Sequence, residues 1–150
     1  MGNLFIRKMT AADYDRVYAL WSATPGMGLN NIDDSRAGIE KFLRRNPDTC
    51  FVAERGAGLV GVILSGHDGR RGSLNHLAVR VSERKQGVGR LLVQHAMDAL
   101  AQEGITKVNL VVFTKNETGN AFWERLGFTA RDDLVYRNKN IVELKDLRPE

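Results

Sequence analysis

The sequence predicts an α/β fold in which helices cover both faces of one sheet. Three observations carry this. Strand-like and helix-like periodicities interleave in the order β-α-α-β-β-β-α-β-α-β-β. Residues Leu77–Val93 pass from a strand through a glycine-rich turn directly into a helix. The 150 residues form a single domain, 1–150, long enough for a real core and free of repeats, linkers and low-complexity tracts.

Each element has its own signal. Asn3–Lys8 is a short strand. Thr10 caps the first helix, with Asp13 three residues on in the capping-box position. Tyr14, Val17, Tyr18 and Trp21 give that helix one apolar face, and residues 24–28 (Thr-Pro-Gly-Met-Gly) break it. After a connection over 29–33, a second helix runs from about Ser35 to Arg45 and stops before Pro47. Cys50–Glu54 and Leu59–Leu64 are strands, joined by the hairpin signal Arg-Gly-Ala-Gly at 55–58. His67–Gly72 is a second turn, and the central strand follows from Ser73 to Val81. The long helix has apolar positions 88, 91, 92, 96, 99 and 100 on one face, and Gly104 ends it. Lys107–Phe113 is a buried strand, residues 117–126 a helix ended by Gly127, and strands near 128–131 and 134–144 finish the chain.

Composition narrows the class. Hydrophobic residues at 43% and charged residues at 27% are ordinary for a soluble globular protein. The single Cys50 excludes an internal disulfide and, with no basic neighbour, reads as a small core residue. The N-terminus lacks the pattern of a signal peptide and no segment could span a membrane, so a cytoplasmic location is expected. Net charge is +4, with basic residues scattered and no aromatics among them. That argues against nucleic acid as a partner and suits capture of a small polyanion.

A strand feeding a glycine turn and a helix builds an anion site, because the first helical N–H groups lack acceptors and the helix dipole favours negative charge there. Gly87 and Gly89 admit a ligand to the backbone, and Arg84, Lys85 and Arg90 surround it. Spacing excludes a P-loop, and Leu92 stands where a dinucleotide fingerprint needs its last glycine. What remains is R-x-x-G-x-G after an L-A-V strand. It resembles the coenzyme A pyrophosphate loop of the GCN5-related N-acetyltransferase (GNAT) family. A second segment, Asn116–Phe128, resembles the family's N-x-x-A…Y-x-x-L-G-F element at the expected distance downstream. The likeness spans about residues 3 to 145 and is close over 58–128.

The resemblance implies a GNAT-like mixed central sheet of about seven strands, with strands 74–81 and 107–113 splayed to make a slot for the pantetheine arm. It implies acetyl transfer from acetyl-CoA to a primary amine of a small molecule or a protein N-terminus, by direct attack on the thioester. Backbone N–H groups of Leu77, Ala78 and Val79 would stabilise the oxyanion, and Arg84, Lys85, Gln86, Gly87, Val88, Gly89 and Arg90 would hold the pyrophosphate. Asn116 matches the asparagine that contacts the cofactor arm; its residue type also suits a helix N-cap. Trp123 stands where many members carry the tyrosine that protonates the thiolate, and Val111 stands where some carry a glutamate base. Replacement bases are His76 or Glu54, directly or through water, with Tyr136 as a proton donor. Each also has a plain structural reading. His67 and Asp68 could rim the substrate pocket, and Trp21 and Met27 could shape it. The missing tyrosine and glutamate leave open a non-catalytic acetyl-CoA-binding module, and a general nucleotide-binding protein is a third reading. No metal is expected. The sequence does not choose between a monomer and a homodimer.

Overall fold

The computed structural model describes residues 2–147. Its elements are β1 Leu4–Lys8, α1 Tyr14–Ser22, α2 Arg36–Arg45, β2 Phe51–Arg55, β3 Gly58–His67, β4 Gly72–Val79, α3 Val88–Gln102, β5 Val108–Asn109 and α4 Glu117–Arg125. Short 3₁₀ turns at Ala11–Asp13 and Val81–Glu83 precede α1 and the turn into α3. The sheet has five strands in the order β1-β2-β3-β4-β5, antiparallel except for the parallel pair β4–β5.

Alternation along the strands builds two cores. Val52, Val62, Leu64 and Ala78 meet Val17, Leu20 and Trp21 of α1 and Ile39 and Leu43 of α2. On the opposite face Phe51, Ala53, Val60, Ile63 and Leu74 meet Val88, Leu92, Val93, Ala96 and Leu100 of α3. Gly61 sets how closely α3 lies on the sheet, since a Cβ there would stand 2.9 Å from Leu92 Cδ1. The first helix begins one 3₁₀ turn later than its cap suggests, though Asp13 does reach back to the Thr10 N–H at 2.9 Å. Ser35 is the N-cap of α2 and accepts the Gly38 N–H at 3.0 Å. Central strand β4 stops at Val79, because Val81 already begins the 3₁₀ turn.

The C-terminal part departs from expectation. The strand expected over 107–113 keeps only Val108–Asn109, and no strand forms over 128–131 or 134–144 among the described residues. Five strands therefore replace the expected seven. The chain is anchored at Phe128, whose N–H reaches Trp123 O at 3.0 Å, and again at Lys145, which pairs with Asn31. Between these anchors Leu134, Val135, Tyr136, Ile141 and Val142 are exposed, as are Val111 and Phe113. Their residue types favour strands, but a strand exists only where a second backbone completes the ladder, and here none does.

Candidate active site

The site begins where β4 and β5 part. They pair only at Gly72–Val108 and Ser73–Asn109, so β4 from Leu74 to Val79 has an open edge. The expected slot lay between two strands, but β5 ends at Asn109, so what the structure has here is a free edge of β4. The Arg80 N–H points to β3, bonding Val60 O at 2.8 Å. By alternation the Val79 carbonyl faces the open edge, where it accepts Arg84 Nε at 3.3 Å.

That edge leads into the N-terminus of α3. Gly87 is the N-cap residue in the left-handed region, φ 84°, and Lys85 also has positive φ, 62°. The first backbone bond of the helix runs from the Leu91 N–H to Gly87 O at 3.0 Å, and no side chain caps the helix. The N–H groups of Val88, Gly89 and Arg90 thus face outward without a helical acceptor. A Cβ at Gly87 would meet nothing within 4 Å, so glycine is there for its left-handed backbone and not for close packing. Gly89 differs: a Cβ there would stand 3.3 Å from Phe122 Cζ, and its bareness serves the contact between α3 and α4. Arg84, Lys85, Gln86 and Arg90 are exposed, and among the described residues no carboxylate pairs with the three cations. The one acid of this turn, Glu83, is buried and bonded to Arg55 at 2.9 Å. The arrangement suits a small, multiply charged anion.

Upstream, β4 carries a bulge. Val62 pairs with Ala78 but Leu64 pairs with Asn75, so β4 has one residue more than β3 there. His76 takes up the excess with φ 51°. Its side chain turns to the α1–α2 face, a quarter exposed, and its Nε2 lies 2.7 Å from Asp34 Oδ1. Trp21 stands edge-on to the imidazole with centroids 5.0 Å apart, and its indole N–H bonds His76 O at 3.1 Å. The bulge is therefore held by a buried tryptophan from α1. Asp34 lies just before α2, where Ile32 and Asp33 fold over Gly38 so closely that a Cβ would be 2.3 Å from Ile32 O.

The remaining candidates disperse. Glu54 is on β2, bonded to Arg7 at 2.7 Å and Arg16 at 3.2 Å, and the Arg7 hydrogen bond holds its carboxyl below the usual range. Those contacts tie it to β1 and α1, two strands from β4. Tyr136 is exposed on the 129–144 segment, with no partner among the described residues. Asn116 caps α4, accepting the Gly119 N–H at 2.9 Å. Trp123 packs edge-on against Phe122 and Phe128, with centroids 5.0 and 5.2 Å away. Val111 is exposed. Trp21 and Met27 belong to the α1–α2 core. Burial lifts the Cys50 thiol to about 11, which leaves it inert. His67 and Asp68 line a groove of about 680 Å³ between α2 and the start of β4 and β5, with Phe42, Asn46, Ser73 and Asn109. Asp34 escaped sequence reasoning, because it lies 42 residues from His76 and no local pattern joins them.

Comparisons with known proteins agree with this architecture. Residues 14–128 match the model of the acetyltransferase (GNAT) family. An acetyltransferase of Sodalis glossinidius is 30% identical over 138 residues, 92% of this chain and 96% of that protein. Ard1 from Thermoplasma volcanium superposes with a TM-score of 0.75 at 22% identity, covering 84% of this chain and 82% of that one. The PaiA N-acetyltransferase of Thermoplasma acidophilum, solved with coenzyme A, gives 0.74 at 19% identity, covering 87% and 92%.

Proposed function

The chain belongs to the acetyltransferase (GNAT) family, and on that premise we propose that it moves an acetyl group from acetyl-CoA to a primary amine by direct attack on the thioester. The observation that carries this reading is the open edge of β4 running straight into the uncapped N-terminus of α3. A long molecule with amides along one arm and a diphosphate at its end matches both features in order. The amides add to β4 as an extra strand over Leu77–Val79. The diphosphate meets the N–H groups of Val88, Gly89 and Arg90, with Arg84, Lys85 and Gln86 beside it. Asn116 keeps its side-chain N–H₂ for the arm while its oxygen caps α4. Trp123 contributes packing, since indole cannot give up its proton at working pH.

Acetyl-CoA supplies an acyl carbon already activated by its thioester. The protein supplies donors on the β4 edge and a base for the amine. His76 takes that role, because Glu54 is held by two arginines and Tyr136 stands apart. The acceptor is a small-molecule amine or a protein N-terminus, approaching from the α1–α2 face. An α-amine, with a reference pKa of about 7.7–8.0, sheds its proton more readily than a lysine-type amine of about 10.4 and so asks less of the base. The exposed strip from Val111 and Phe113 to Leu134–Tyr136 also fits burial in a homodimer, read by sedimentation.

Steady-state release of the CoA thiol, followed with a chromogenic disulfide across a panel of α-amines and alkylamines, tests the reading. Turnover with at least one amine is expected. Tight binding of acetyl-CoA with no release above spontaneous hydrolysis for any amine would reduce the protein to a binding module.

A further inference from the structure

We propose that Asp34 is a positioning residue for the reaction: it fixes the tautomer of His76 so that Nδ1 is the nitrogen that accepts the amine's proton. This rests on the acetyl-transfer reading above and adds a residue to it.

Donors and acceptors around the ring decide its tautomer. Asp34 is buried, 4% exposed, and its two oxygens have separate partners. Oδ2 accepts the Asn30 N–H at 2.8 Å, and Oδ1 lies 2.7 Å from His76 Nε2. An ionised carboxylate only accepts, so Nε2 must carry the proton. In neutral imidazole the lone pair is then on Nδ1, which has no partner among the described residues. Three further contacts keep the pair in place. The Tyr14 hydroxyl donates to Asp34 O at 2.7 Å, Trp21 stands edge-on to the ring, and the Trp21 indole N–H holds His76 O.

The surroundings leave this pairing undisturbed. From α1 come Trp21 and the phenol of Tyr14. From α2, Arg36 lies over the Tyr14 ring and pairs with Asp15. On β3 and β4 the neighbours Val62, Leu64, Asn75, Leu77 and Ala78 carry no charge. Asp34 is thus the one charged side chain bonded to the imidazole among the described residues. The left-handed backbone at His76 gains a reason too: without the bulge the ring would not turn to the α1–α2 face beside the open edge of β4.

In the reaction the amine nitrogen bonds to the acyl carbon, and the C–S bond breaks with its electron pair going to sulfur. The proton shed by nitrogen passes to Nδ1 and then to bulk water, and the thiolate takes its proton from water. Asp34 keeps Nε2–H throughout and stabilises the imidazolium that forms for a moment.

Asp34→Asn tests this sharply. The Asn30 N–H still requires an acceptor, so the amide oxygen must take the Oδ2 place and the amide N–H₂ must face Nε2. The imidazole then reverses to the Nδ1–H tautomer, and the nitrogen meant to accept a proton carries one. Long-range ¹⁵N–¹H spectra of ring-labelled protein should show Nε2–H in the parent and Nδ1–H in the variant. Turnover should fall by roughly 10²–10⁴-fold, as for loss of a general base. The KM for acetyl-CoA should stay within about threefold, since the cofactor edge is untouched. An unchanged tautomer, or a kcat within threefold of the parent, would overturn the proposal. His76→Asn, a residue tolerant of positive φ, covers the case in which Asp34→Asn does not fold. It should lose the same turnover with the KM for acetyl-CoA again within about threefold. Full activity there overturns the role of the pair. A parent protein inactive with every amine fails at an earlier step and counts against acetyl transfer itself.

Discussion

Gly89 and Gly87 stand two residues apart, and the structure gives them different reasons for lacking a side chain. At Gly89 the missing Cβ points at the α4 side, 3.3 Å from Phe122 Cζ and 3.6 Å from Val79 Cγ2. In Gly89→Ala the ring must yield by a few tenths of an ångström. That cost opposes the gain of about 0.5–1 kcal/mol from replacing glycine in a helix, and the two should nearly cancel. Gly89→Val adds two methyl groups between Phe122 and Val79, and overpacking of this kind costs about 1–3 kcal/mol. For a domain of this size, 1 kcal/mol lowers the melting temperature by roughly 2–4 °C, so a loss of about 4–8 °C is the central expectation. At Gly87 a Cβ meets no protein atom within 4 Å but is strained by φ 84°, at about 1–2 kcal/mol, and relief of that strain shifts the turn that presents the open N–H groups. Thermal melts and acetyl-CoA calorimetry on Gly89→Ala, Gly89→Val and Gly87→Ala separate the effects. Gly89→Ala should keep its melting temperature within about 2 °C and its affinity within about threefold, while Gly87→Ala loses more affinity. The reverse order, with Gly89→Ala tenfold weaker and Gly87→Ala unaffected, would show that the ligand approaches Gly89 and would refute the reasoning.

Three further outcomes follow from the geometry. Burial pushes the Asp13 carboxyl up, but the Arg7 guanidinium, the Thr10 N–H and Arg16 outweigh it and hold the carboxyl at about 2, below its ordinary 3.8. Its stabilisation is therefore complete above about pH 4 and disappears as pH falls through about 2. Urea titrations of Asp13→Asn should show about 1–3 kcal/mol lost at neutral pH and a smaller loss of stability across that acid window than in the parent. Trp123→Phe should retain most of the turnover, whereas Trp123→Ala, losing two edge-on ring contacts, should raise the KM for acetyl-CoA; a hundredfold drop in kcat for the folded Phe variant would give the indole N–H a role in the chemistry. Arg90→Ala should weaken acetyl-CoA binding by at most about 1.5–3 kcal/mol, less at high salt, and calorimetry showing no change at low salt would remove Arg90 from the anion site.

What the sequence determined by itself was local. Leu77 to Val93 could be read as strand, turn and helix because each residue's part depends on neighbours within a few positions. The alternation of β4, the left-handed glycine at 87 and the apolar stripe of α3 all lie in that span. The start of α2 near Ser35, the cap at Asn116 and the hairpin at Gly56 are local in the same sense. The resemblance to the acetyltransferases rested on these same segments. Tertiary structure decided the rest, for reasons that sequence spacing does not carry. Leu134–Tyr136 and Ile141–Val142 have strand composition, yet a ladder needs a second backbone at the right distance, and composition does not supply one. Glu54 looked free to act as a base until folding brought Arg7 and Arg16 to it. Gly89 looked like a partner of Gly87 until Phe122, 33 positions on, took the space beside it. His76 and Asp34 meet only because a bulge turns one ring across the sheet and a glycine in α2 lets the preceding loop fold back. Backbone preferences are short-range and survive in the sequence as patterns, whereas a hydrogen bond between distant side chains exists only once packing has brought them within 3 Å.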